Sequence, residues 1–209
     1  MKMRRQLIAG AVALFAGVTA ARANDTELKQ TDKTMNANKK TLVVYFSRTG
    51  ENYSVGLITK GNTEIVAETI AQQTGAELFE IKPVNAYPEV YRQCTDQAQD
   101  EANADARPAV VGDIRVEDYD TIFVGYPIWW GDMPMPVYTF LEKHDWTGKT
   151  VVPFCTNEGS GLGVTENSLR RTCKGATVLR GLAVRGTTAQ NNREATAKSV
   201  ADWLKKVDF

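Results

Sequence analysis

Apolar residues along this 209-residue chain recur in two rhythms. A short continuous apolar run, rich in β-branched and aromatic residues, lies at 41–46, and similar runs recur at 77–81, 121–126, 150–156 and 177–184. Runs of that length without polar alternation predict strands buried on both faces. Between them, 63–73, 89–106, 136–143 and 166–173 read as helices, and a last helix ends in Asp208 and Phe209. That helix places Val200, Trp203, Leu204 and Val207 on one face, which is core spacing. Strands alternating with helices predict an α/β fold, a three-layer αβα sandwich over a parallel sheet. Five strands favour the order 2-1-3-4-5, in which ligands bind beyond the carboxyl ends of the strands.

The ends of the chain have a different character. Residues 1–23 carry Lys2, Arg4, Arg5 and Arg22 with no acid, an uncharged run at 7–21, and a small-residue site at Ala21-Arg22-Ala23. This predicts a cleaved export signal and a periplasmic mature protein. The stretch Met3-Arg4-Arg5-Gln6-Leu7-Ile8 resembles a twin-arginine signal, the class that exports folded proteins. The run is too short to span a membrane, so the mature chain is expected to have no span. Residues 24–40 are polar and read as a linker, leaving 41–209 as the folded domain. Without the first 23 residues, 21 basic residues face 25 acidic ones, a net charge of −4. That balance argues against nucleic acid, whose binding relies on clustered Lys and Arg.

Three loops fall at the expected binding edge. After the first strand come Ser47-Arg48-Thr49-Gly50 and, beyond a ten-residue interval, Gly61-Asn62-Thr63-Glu64 at the start of a helix. Hydroxyls, glycines and free helix N-terminal amides make a phosphate cradle; the same residues would also serve as an ordinary N-cap and turn. After the third strand, Pro127-Ile128-Trp129-Trp130-Gly131 supplies a flat aromatic wall. After the fourth, Thr156-Asn157-Glu158-Gly159-Ser160-Gly161 lets backbone approach a ligand closely. Together they ask for a planar ring on a phosphorylated chain.

The segments YFSRTG, GNTEIVAETIA, GYPIWWGDMPMPV and GKTVVPFCTNEGSGLG, in that order, resemble the flavodoxin family over about four fifths of the chain. The resemblance implies bound FMN. Its phosphate would rest on Ser47, Thr49, Gly50, Asn62 and Thr63. Residues Pro127, Ile128, Trp129, Trp130 and Gly131 would cover the isoalloxazine, and Thr156, Asn157, Glu158, Gly159 and Gly161 would meet its pyrimidine edge. It also assigns to Gly131 the peptide that reorients when the flavin gains an electron. The interval 51–60 departs from a compact flavodoxin loop.

Asp132 and Glu158 are either charges near the ring or solvated loop acids. His144 is expected at the surface or in a cap, and Tyr87 and Tyr91 in packing or at a substrate entrance. Cys94, Cys155 and Cys173 lack dithiol or zinc spacing; Cys155 and Cys173 are either a pair or buried free thiols. The expected activity is electron transfer in the cell envelope, with a redox partner protein or a small electron acceptor. The alternatives are an FMN-dependent NAD(P)H:quinone or small-molecule oxidoreductase, and a flavin-free binding protein of the same fold.

Overall fold

An inner strand of the sheet is β1 (Thr41–Tyr45), whose side chains divide between two cores. Leu42 and Val44 face one, Val43 and Tyr45 the other, as a period of two requires. The computed structural model describes residues 40–209, so the expected export signal and nearly all of the linker lie outside the described residues. Beside β1 lie β4 (Glu77–Glu80) on one side and β7 (Thr121–Pro127), β8 (Thr150–Asn157) and β10 (Leu182–Arg185) on the other, all parallel. This is the order 2-1-3-4-5.

The helices α1 (Asn62–Thr74), α5 (Gly186–Asn191) and α6 (Arg193–Lys206) cover one face through Ile65, Ile70, Ala189, Val200 and Trp203. The other face is covered by α2 (Tyr91–Asn103), α3 (Met135–Leu141) and α4 (Thr165–Thr172), with Val137, Phe140 and Leu169 in its core. No helix among the described residues is long and apolar enough to cross a membrane.

The fifth strand differs from its expectation as one run over 177–184. It is split into β9 (Thr177–Val178), paired with Thr150 and Val151, and β10, paired further along β8. Side chains from flanking helices take the backbone between them. The Glu166 carboxylate accepts the Gly181 N–H at 2.8 Å, and the Trp203 indole donates to the Arg180 carbonyl at 3.0 Å.

The interval 51–60 folds into an antiparallel hairpin, β2 (Gly50–Asn52) with β3 (Gly56–Ile58). A second short ribbon joins β5 (Lys82–Pro83) to β6 (Val110–Val111).

His144 is not at the surface. Its side chain is 5% exposed, between Asp113 at 3.2 Å and Glu117 at 3.5 Å, and it packs on Phe140 and Trp146. The three cysteines are free and buried, so Cys155 and Cys173 do not pair. Burial pushes both of those thiols up to about 12.

Candidate functional site

Parallel strands deliver their following loops to one edge, and a cleft of 280 Å³ opens there. Its polar end is the start of α1. Gly61 is the N-cap, and its N–H reaches the Glu64 carboxylate at 3.2 Å, while the Glu64 N–H reaches Ser47 Oγ at 3.1 Å. A Cβ on Gly61 would fall 2.0 Å from Ser47 Oγ, so only glycine lets the two loops meet. The amides of Asn62 and Thr63 have no acceptor among the described residues and carry the positive end of the helix dipole.

Asn62 lines the cleft, with its Oδ1 accepting from Gln190 Nε2 at 2.8 Å. Thr63 is buried and shares a 2.7 Å hydrogen bond with Thr156 Oγ1, which ties the first loop to the third. Thr49 is exposed, with its carbonyl 3.4 Å from Asn52 Nδ2, and Gly50 is buried at the root of the hairpin. Neither lines the cleft, and neither does Ser47 or Thr63.

The floor comes from β7. Trp129 and Asp132 exchange both backbone hydrogen bonds, at 2.9 and 3.0 Å, around Trp130 (φ 51°) and Gly131 (φ 84°). Two successive positive φ values make a type I′ turn, a conformation natural to glycine and strained for tryptophan. Trp130 is 58% exposed, and its indole donates to the Thr95 carbonyl on α2 at 3.1 Å. Trp129 is half-buried and meets Phe46 and Tyr87 edge-on, at 5.3 and 4.9 Å. Ile128 bridges to the next loop, its N–H donating to the Thr156 carbonyl at 2.9 Å. Pro127, Ile128, Trp129 and Trp130 all line the cleft, and the Gly131 carbonyl accepts from the Val164 N–H at 3.0 Å.

Asp132 and Glu158 are both engaged, which corrects the picture of solvated loop acids. Asp132 accepts from Tyr138 Oη and Ser168 Oγ, each at 2.8 Å, and from the Met133 N–H at 2.8 Å. Burial is the main cause that pushes Tyr138 up to about 12, with Asp132 adding to it. Glu158 lines the cleft and accepts the Thr187 N–H at 2.7 Å. Asn157 also lines it; its Oδ1 gathers the amides of Gly159 and Gly161 at 2.7 and 3.1 Å and so shapes the third loop.

Most of the opposite wall was missed from sequence. It consists of Arg48, Asn52 and Tyr53 from the first loop and hairpin, with Tyr91, Cys94, Thr95 and Ala98 from α2. Tyr53 and Tyr91 pack with ring centroids 6.0 Å apart. Tyr91 is therefore at the entrance. Tyr87 belongs to packing, its ring against Phe46 and Trp129 and its hydroxyl donating to Glu101. The advance signs of this wall were Tyr91, Arg48 in the first loop and the length of the interval 51–60; Asn52, Tyr53, Cys94, Thr95 and Ala98 gave none.

An anion cradle at one end, a flat aromatic floor beside it and a backbone-rich loop at the side fit a phosphorylated planar group. A family model described as flavodoxin matches residues 40–207. A candidate flavoprotein from Bacteroides eggerthii is similar at 30% identity and TM-score 0.65, over 82% of this chain and 99% of that one. Another, from Bacteroides uniformis, has 29% identity and TM-score 0.63, over 80% and 98%. A Lactobacillus acidophilus flavoprotein in complex with FMN has 25% identity and TM-score 0.55, over 72% and 95%. A comparison with curated proteins gives no match. By the family match over most of its length and by the three loops assembled at one sheet edge, the chain belongs to the flavodoxin family.

Proposed function

We propose that the protein is an FMN-binding electron carrier of the cell envelope. Family membership and the FMN complex of the Lactobacillus acidophilus relative support the cofactor, and the anion cradle with its aromatic floor supports its seat here. The amides of Asn62 and Thr63 hold the phosphate, and the Gly61–Ser47 contact keeps the cradle shut on its far side. Pro127 to Trp130 carry the ring, while Asn157 and Glu158 meet its polar edge. FMN, when bound, supplies the redox chemistry; the protein supplies orientation and charge.

The observation that carries the carrier reading is the size of the cleft. At 280 Å³ it sits just below the usual range of roughly 300–1,000 Å³ for small-ligand sites. A cleft of this size suits one planar ring. Electrons then leave by the exposed edge at Trp130, toward a partner docked there. The basic start and small-residue cleavage site at 21–23 support export.

The test is an anaerobic titration of the purified, FMN-loaded protein. Visible flavin bands, full reduction by dithionite and no reduction by NADH or NADPH are expected. Rapid reduction by either nicotinamide would replace the carrier with an oxidoreductase. An N-terminus beginning at Asn24 in the cell-derived protein checks the export reading.

A further inference from the structure

Two charged side chains line the cleft, Arg48 and Glu158, and their charges are met differently. Glu158 binds the backbone N–H of Thr187 at 2.7 Å and its hydroxyl at 3.1 Å, in the first turn of α5. Arg48 donates only to backbone carbonyls. Its Nη1 reaches Glu51 O at 2.6 Å, its Nε and Nη2 reach Pro88 O at 3.3 and 2.6 Å, and its Nη2 reaches Glu89 O at 2.7 Å. No ion pair among the described residues includes it. Carbonyl dipoles satisfy the guanidinium N–H groups and leave its unit charge standing.

The guanidinium is also fixed in place. Around it the Glu51 N–H donates to Glu89 O at 2.8 Å, and the Tyr91 N–H donates to the Glu51 carboxylate at 2.9 Å. These bonds latch the hairpin root to the start of α2, so Arg48 cannot swing away from the wall that carries Tyr91 and Cys94. Its field reaches that wall. Burial raises the Cys94 thiol and, with Tyr53, the Tyr91 hydroxyl, and Arg48 opposes both shifts.

We infer that Arg48 shifts the charge preference of the cleft, its fixed cation, set against the Glu158 carboxylate, favouring a bound ring that carries negative charge over a neutral one. The inference rests on the FMN reading: the reduced, anionic flavin is held more tightly, relative to the oxidised flavin, than it would be without Arg48. Arg48 acts here through charge, and its hydrogen bonds serve to hold that charge still.

The experiment compares wild type with Arg48→Gln and Arg48→Lys. FMN dissociation constants are measured for the oxidised protein and for the dithionite-reduced protein, with thermal melts of each flavin-free variant alongside. Arg48→Gln is expected to lower the preference for reduced over oxidised flavin by roughly tenfold, the scale of one charge in a partly screened site. Arg48→Lys is expected to retain the wild-type preference. An unchanged preference in Arg48→Gln overturns the inference, and so does an equal loss in both variants, which would assign the effect to the latch. A wild-type protein that binds no FMN in either state overturns the FMN reading itself and the inference with it.

Discussion

Trp129 and Trp130 are neighbours in sequence, yet the fold treats them as opposites. Trp129 turns inward, packs edge-on against Phe46 and Tyr87, and closes the turn through paired backbone bonds with Asp132. Trp130 sits in the left-handed region, 58% exposed, tethered by one indole hydrogen bond to α2. A bulky side chain in that conformation costs roughly 1–3 kcal/mol. The surroundings must therefore over-determine the turn, and Asp132 does so by bonding to Tyr138 and Ser168 on two different helices. One tryptophan stabilises the protein; the other is held in strain at the mouth of the cleft.

The largest effect that sharpens this comparison is on stability. Trp129→Ala removes two ring contacts from a half-buried site and is expected to cost about 3 kcal/mol. Trp130→Ala loses exposed surface but relaxes little of the backbone strain, so its cost stays within about 1 kcal/mol. Urea unfolding of the flavin-free proteins measures both. The order reverses for FMN affinity, where Trp130→Ala weakens binding without unfolding the floor. Equal stability losses in the two variants would erase the distinction.

Much of this was legible in the residues, and what was not has a physical reason. The apolar runs of β1, β7 and β8 marked strands buried on both faces, and the alternation of strands with helices gave the sheet order; the edge strand β4, with its two glutamates, is not buried in this way. The floor and third loop followed from strand order, and Pro127 to Trp130 and Thr156 to Glu158 do line one cleft. The hairpin was not legible: strands of three residues carry no readable period, and Leu57 in it is 78% exposed. The break at 179–181 depends on Glu166 and Trp203, side chains distant in sequence. The engagement of Asp132 and Glu158 was hidden for the same reason, since a carboxylate in a loop looks alike whether solvated or bonded.

A smaller effect comes from removing the support of the turn. Asp132→Ala leaves Tyr138 and Ser168 without their acceptor and is expected to cost about 2 kcal/mol. Asp132→Asn keeps the shape and should lose about half of that. Because Asp132 and Trp130 share one turn, the FMN affinity losses of Asp132→Ala and Trp130→Ala should fail to add in the double variant. Simple additivity would mean that Asp132 stabilises the protein without positioning Trp130.

The smallest effect uses the thiols to read the two sides of the cleft. Cys155 lies in β8 beneath the floor, its Sγ–H donating to the Gly161 carbonyl at 3.3 Å, whereas Cys94 lines the α2 wall. Burial raises Cys155 and Cys173 from 9.0 to about 12, so both are neutral thiols in the folded state at about pH 8. Their contribution to stability is fully present below pH 9, where the unfolded thiols are also protonated. It is lost as pH rises toward 12, because the unfolded chain releases those protons first. Native-state alkylation should therefore reach Cys94 first and slowly, FMN should slow it further, and Cys155 and Cys173 should react only on unfolding. If Cys155 reacts as readily as Cys94, the floor opens as easily as the wall. Trp129 would then be no better anchored than Trp130, and the strain in the turn would have nothing rigid to hold it.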